Sequence, residues 1–380
     1  MTNSVSHLYD RAAAIIDLGC IGYNLDVVRQ KAPGKKIVAM VKSNAYGHGL
    51  TKVAQYLVGQ GIDYLGVAFV EEGVLLRKAG IDAPVLVTGP FIKSQLGVYF
   101  EYDIDMTVAS IPALEEVEDY ASGIAKRAKI HLQVDTGMMR VGVRPTSAEK
   151  FLEAAAKTHF CDIVSVYSHF ATADGRDLDF TRRQLELFLD AVSFYEKHSV
   201  KPPLFHIANS AGLMRLPESQ LDMVRPGIML YGYHPSVYSV DQAELKPALS
   251  LRAKVAYFKV ILDGTSVGYG QTWTAPENCR AATLLIGYGD GYFRNNSNKS
   301  DVLINGQRYP VVGNISMDHL VISLGKNGEA YKGDEAVLIG RQGEEAVTAD
   351  ELAQKIGTIN YEILTNIGQR VPRVYINDGT

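Results

Sequence analysis

The sequence predicts an α/β protein in two parts, an N-terminal (β/α)8 barrel of the TIM type followed by a C-terminal mainly-β domain. Three observations lead there. Over the first two-thirds of the 380 residues, eight β-rich runs alternate with helical or loop stretches. Polar residues end many of those runs, among them Lys42, Asp135, His169, Asn209 and Arg225, and a barrel gathers such ends on one face. Beyond residue 246 the alternation stops, and short strands follow at close spacing with turns such as Asp263-Gly264 and Asn305-Gly306. The same order also admits an open doubly wound sheet; the count of eight and the polar strand ends favour closure.

In chain order the expected strands are Ile37–Lys42, Tyr64–Ala68, Val85–Thr88, Ile104–Val108, Ile130–Asp135, Ile163–Ser168, Leu204–Ala208 and Met223–Leu230. Helical patterns cover Leu50–Gly59, Glu71–Ala79, Pro112–Lys126, Ala148–Thr158 and Asp177–Lys197. Residues 233–246 are rich in turn-forming and polar types and read as a linker, which divides the chain into 1–238 and 239–380. The second part offers strands at Leu251–Val260, Ala281–Ile286, Val302–Ile304, Tyr309–Val312, His319–Ser323 and Ala336–Ile339, then a short helix at Ala349–Ile356.

Composition narrows the function classes. Apolar residues make up 47% of the chain, enough for a large core. Lys plus Arg number 38 against 42 acidic residues, a net charge of −4, so nucleic acid is not an expected partner. The apolar run Ala12–Ile16 is too short for a signal-peptide core, and no stretch approaches the ~18 apolar residues of a spanning helix. Cys20, Cys161 and Cys279 are odd in number and far apart, suggesting neither a disulfide framework nor a zinc site. A cytoplasmic protein, with no membrane partner and no metal, is the expectation.

Lys42 ends a buried strand. It either snorkels to solvent or is a partly desolvated amine of lowered pKa, able to condense with a carbonyl. The segment around it, VAMVKSNAYGHG, resembles the cofactor-lysine segment of alanine racemases, the fold-type III amino-acid racemases that use pyridoxal 5'-phosphate (PLP). Eight further segments resemble the family in the family's order: VDTGMMRVGV, SHFATAD, HIANSAG, VRPGIMLYG, VGYGQTWTA, IGYGDGYFR, VGNISMDHL and NYEILTNIGQRVPR. Together they span Lys42 to Arg373, nearly the whole chain.

The resemblance implies a role for each residue. Lys42 binds PLP and serves as one of two acid/base groups, and Tyr46 lies beside it. Asn209, Ser210, Gly227 and Ile228 resemble the segments that hold the cofactor phosphate, with Tyr361 adding a hydrogen bond. Arg225 faces the pyridine nitrogen; a guanidinium, with a pKa above ~12, does not hand that nitrogen a full proton. The ring is then a weaker electron sink, which discourages transamination and favours return of the proton to Cα. Tyr269 resembles the second base, on the opposite face. Free tyrosine has a pKa near ~10, so that role needs cationic or hydrogen-bonding neighbours, for which His169 and Arg225 are the family's candidates. Arg140 resembles the arginine that binds the substrate carboxylate. Tyr288, Met317 and Asp318 resemble residues that a second subunit brings in a head-to-tail homodimer with shared sites.

One departure stands out. Many members carry a carbamylated lysine two residues before the Asp of DTGM, and this chain has Gln133. Glutamine forms no carbamate and carries no charge, so the expectation is a neutral hydrogen bond from Gln133 that orients Arg140, helped by a bound anion.

The resemblance therefore implies an isomerase that interconverts L- and D-alanine and supplies D-alanine for peptidoglycan. Three alternatives remain at this point: a racemase preferring serine or a larger amino acid, a non-catalytic PLP-binding barrel, and a decarboxylase of related fold. The β-module with Tyr269 argues against the second, and Arg225 argues against the third.

Overall fold

The computed structural model describes residues 11–377, in two compact units. The first holds Ile21–Ala45 and Leu50–Lys246. The second holds the described residues up to Cys20, then Tyr46–Gly49 and the chain from Pro247 onward. A division at 238/239 would assign strand β1 (Ala12–Asp17) to the barrel. It sits in the second unit instead, because its two edges are taken by that unit's sheet.

The first unit is an eight-stranded parallel barrel. Its strands are β2 (Lys36–Met40), β3 (Tyr64–Val67), β4 (Val85–Val87), β5 (Asp105–Val108), β6 (Ala128–Gln133), β7 (Cys161–Tyr167), β8 (Leu204–His206) and β9 (Met223–Val224). They pair in chain order, and β9 returns to β2. Between β8 and β9 the circle is completed by Asp222 N–H to Phe205 O (2.9 Å) and Arg225 N–H to Ala208 O (3.0 Å). Every residue of β4 and β5 is buried, as strands require when helices cover one face and barrel side chains fill the other.

The covering helices follow from local sequence. Leu50, Val53, Ala54 and Leu57 recur at helical spacing and are the buried face of Leu50–Gly59. Ser110 caps Ile111–Gly123 by accepting from Ala113 N–H (3.2 Å), with Pro112 in the first turn. The expected helix 177–197 is two helices, Asp179–Val192 and Phe194–Lys197, broken where the Ser193 hydroxyl donates to Asp190 O (2.6 Å). The expected strand 223–230 stops after two residues. Pro226 has no N–H to continue a ladder, and Gly227 leads into a 3-10 turn, Ile228–Tyr231.

The second unit is mainly β. Its central strand, β10 (Leu249–Ile261), pairs antiparallel with β1. The hairpin β11 (Ser266–Val267) and β12 (Trp273–Thr274) precedes β13 (Cys279–Leu284), β14 (Asp301–Ile304), β15 (Gln307–Pro310), β16 (Leu320–Gly325), β17 (Glu335–Gln342), β18 (Glu345–Val347) and β19 (Arg373–Ile376). β10 also pairs with β13 and β17, and β19 runs parallel to β1. The β14–β15 turn is Asn305-Gly306, both at positive φ (52° and 76°), the geometry that suits a two-residue hairpin. Among the described residues no helix is long and apolar enough to cross a membrane.

Candidate active site

Lys42 sits just past the end of β2, ahead of an unusual turn. Ser43, Asn44, Ala45 and Tyr46 all have left-handed backbone (φ 52°, 56°, 52° and 53°). That conformation costs an L-residue ~1–2 kcal/mol, so four in a row need external support. Glu72 supplies much of it: Oε1 accepts from Ser43 N–H (2.6 Å) and Oε2 from Ala68 N–H (2.8 Å). Asn44 Oδ1 accepts from Leu50 N–H (2.8 Å), at the start of the next helix. Burial lowers the pKa of the Lys42 ammonium; the charge of Arg140 adds to this, Glu72 opposes it, and Arg225 adds further.

Arg225 is buried just after β9. Its guanidinium donates to Ser168 O (2.7 Å), Ile207 O (3.2 Å), His169 Nδ1 (3.1 Å) and His206 Nδ1. Burial lowers its pKa to about 10, which leaves it protonated at neutral pH. His169 is held neutral by burial and by the charges of Arg225, Arg140 and Lys42. With Nδ1 accepting from Arg225, its proton resides on Nε2 and can be donated.

Arg140 lies on a loop organised by Asp135. Oδ1 of Asp135 accepts from Gly137 N–H (2.9 Å) and Met139 N–H (3.0 Å), and Oδ2 from Arg140 N–H (2.9 Å). The expected hydrogen bond from Gln133 to Arg140 is not among those formed. Tyr167 donates its hydroxyl proton to Gln133 Oε1 (3.0 Å), and it does so because both side chains point into the barrel from neighbouring strands.

Asn209 and Ser210 follow β8 and open the short helix Ser210–Arg215, where Asn209 Oδ1 caps Gly212 N–H (2.9 Å). Gly227 N–H donates to Ser210 Oγ (2.8 Å), and a backbone bridge joins Asn209 to Arg225. This draws Asn209, Ser210, Gly227 and Ile228 to the strand ends that carry Arg225.

The remaining residues lie in the second unit. Gly47 (φ 87°) passes so close to helix Asn360–Thr365 that a Cβ there would collide with the Leu364 carbonyl. That approach brings the rings of Tyr46 and Tyr361 to 6.1 Å. Tyr269, Tyr288, Met317 and Asp318 gather around the loop between β15 and β16. Asn314 Nδ2 donates to Tyr269 O (2.7 Å), Tyr288 N–H to Ser316 O (3.1 Å) and Gly289 N–H to Met317 O (2.9 Å). Asp318 is held by Arg370 (2.7 Å), which also faces buried Asp290 (3.4 Å). Tyr269, Met317 and Tyr288 remain 75%, 52% and 41% exposed.

Comparison with known proteins decides the family. The profile of the alanine racemase N-terminal domain matches residues 16–235, and that of the C-terminal domain matches residues 248–375. The chain belongs to the alanine racemase family. It is 41% identical to the alanine racemase of Carboxydothermus hydrogenoformans, over 96% of this chain and 99% of that one. The structure of the Bacillus anthracis alanine racemase with bound L-Ala-P superposes with a TM-score of 0.91 at 37% identity, covering 98% of this chain and 96% of that one. A histidine racemase from Leuconostoc mesenteroides is more distant, with a TM-score of 0.88 at 29% identity, covering 97% and 99%.

Members of this family are PLP-dependent, and the donor set of the barrel fits that cofactor. Arg140 and Arg225 lie close enough to Lys42 to lower its pKa, and all three charges act on His169. Such a cluster of cations suits a phosphate and a substrate carboxylate. The sequence reading missed Glu72, which anchors the turn after Lys42, and Tyr167, over whose ring Arg225 lies at 5.1 Å. A signal for the barrel interior was available: Thr107, His131 and Ser165 are polar residues each flanked on both sides by apolar ones in its strand.

Proposed function

We propose that this chain interconverts L- and D-alanine with PLP, in two sites that a head-to-tail homodimer shares. The observation that carries this reading is the cluster of Lys42, Arg140, His169 and Arg225 at the carboxyl ends of the barrel strands, in a chain of this family. Lys42 would bind the cofactor aldehyde; Asn209, Ser210, Gly227, Ile228 and Tyr361 would hold its phosphate, with Tyr46 beside them. Bound there, PLP supplies an electron sink that acidifies the substrate Cα–H.

The chain's own groups then do the rest. Arg140 binds the substrate carboxylate through charge-assisted hydrogen bonds, joined by the Met317 N–H from the partner subunit. Lys42 Nζ, with its lowered pKa, exchanges a proton with Cα on one face. Tyr269 of the partner subunit serves the other face: one base takes the Cα proton and the other returns one with inverted configuration. His169 Nε2–H is the donor suited to a tyrosine oxygen that has given up its proton. Arg225 keeps a positive, hydrogen-bond-donating group toward the cofactor ring. Tyr288 narrows access, and Asp318 braces the Met317 loop through Arg370. The exposure of Tyr269, Tyr288 and Met317 supports their use by a second subunit. The proposed setting is cytoplasmic, with D-alanine passing to peptidoglycan synthesis.

A chirality-resolved assay over a panel of L-amino acids, with added PLP, tests the reading. Conversion of L-alanine to the racemate, faster than serine or histidine, is expected. Preference for a larger amino acid would overturn the substrate, and no conversion of any would overturn the activity.

A further inference from the structure

Inside the barrel, side chains from four strands form an unbroken line of hydrogen bonds that ends on Arg225. Arg225 bonds His206 Nδ1; His206 Nε2 lies 2.8 Å from Ser165 Oγ; Ser165 Oγ lies 2.6 Å from His131 Nδ1; His131 Nε2 lies 3.2 Å from Asp105 Oδ2. All five residues are at most 3% exposed. Asp105 is the first residue of β5 and His206 the last of β8, so the line runs between opposite ends of the strands.

The chemistry of its ends sets its direction. A guanidinium only donates and a carboxylate only accepts. Arg225 therefore donates to His206 Nδ1, His206 Nε2–H to Ser165, the Ser165 hydroxyl to His131 Nδ1, and His131 Nε2–H to Asp105. Followed from Arg225, the contacts require Nδ1 of each imidazole to accept and Nε2–H to donate. Burial and the charge of Arg225 do hold His206 neutral. Tyr167 stacks flat on the His206 ring (4.9 Å between centroids, 1° between planes), so the ring does not turn away. Replacing a buried polar network by apolar groups of the same volume is often neutral or stabilising, which points to a use beyond packing.

We propose that this one-way line aims the Arg225 guanidinium and ties its charge to Asp105, which makes His206, Ser165, His131 and Asp105 positioning residues for racemisation. The link to racemisation rests on the function proposed above; the proton pattern does not. The test begins with full-length protein carrying 15N-labelled histidine, in which His206 and His131 should both show protonated Nε2 and bare Nδ1. Ser165→Ala removes the central hydroxyl. It should lower kcat about tenfold, leave KM for alanine within about twofold, and shift the visible circular dichroism of bound PLP. Asp105→Asn keeps an acceptor oxygen and should retain the tautomers with a smaller loss of kcat; it also carries the comparison if Ser165→Ala does not fold. A His206 protonated on Nδ1 or on both nitrogens overturns the proposal. So do variants that lose thermal stability yet match the wild type in kcat and dichroism. Wild-type protein that racemises nothing would refute the function, and the tautomer measurement would still decide the line.

Discussion

At the scale of single residues, the barrel stores its cations in an unusual way. Lys42, Arg140 and Arg225 influence a common neighbour, His169, although only Arg225 is buried; Lys42 is half-buried and Arg140 exposed. Two barrel histidines, buried His206 and half-buried His169, stay neutral well below the ordinary value of 6.5. The unfolded chain binds protons at these positions where the folded chain does not, so stability is present above pH 6.5 and is withdrawn as pH falls. Between pH 6.5 and 5.5 the apoprotein should lose about 1 kcal/mol for each histidine, read from urea midpoints. A midpoint that holds constant over that interval would show that the imidazoles titrate normally. Tyr269→Phe, which removes only the phenol oxygen, should cut kcat by roughly 10²–10⁴ while the protein keeps its visible cofactor absorbance. Unchanged racemisation in both directions would remove Tyr269 from the chemistry.

At the scale of elements, the turn at 43–46 shows why the lysine segment was only partly legible. The strand before it and the helix Leu50–Gly59 after it follow from hydrophobic periodicity. Four successive left-handed residues do not, since Ser, Ala and Tyr have no preference for that conformation. The support comes from Glu72, about 30 positions away in sequence. Glu72→Ala removes the acceptor for Ser43 and Ala68 N–H groups and should destabilise the protein by about 1–2 kcal/mol. The loss should appear first as increased amide exchange at residues 43–46. Exchange there that matches the wild type would mean the turn stands on Asn44 and its other contacts alone. The strands at the chain's ends were missed for a related reason. β1 is a six-residue, mostly apolar run and β19 has four residues, and only their pairing with each other and β1's with β10 makes them a sheet.

At the scale of the whole molecule, the two units divide the proposed chemistry: the barrel carries Lys42, Arg140, His169 and Arg225, and the β unit carries Tyr269, Tyr288 and Met317. If sites are shared between subunits, mixing Lys42→Ala protein with Tyr269→Phe protein should restore partial activity, because one kind of mixed site is intact. No recovery after proven subunit exchange would place both bases in one chain. The sequence by itself determined the family, the barrel followed by a β unit, and the residue types that bear the chemistry, because these reside in local periodicity and in ordered motifs. Tertiary structure alone decided that Gln133 bonds Tyr167, that β1 joins the second unit, and that Asp105, His131, Ser165 and His206 form one line to Arg225. Those facts depend on which strands become neighbours and which side chains turn inward. Hydrogen bonds between residues 19 to 41 positions apart leave no mark on local sequence pattern.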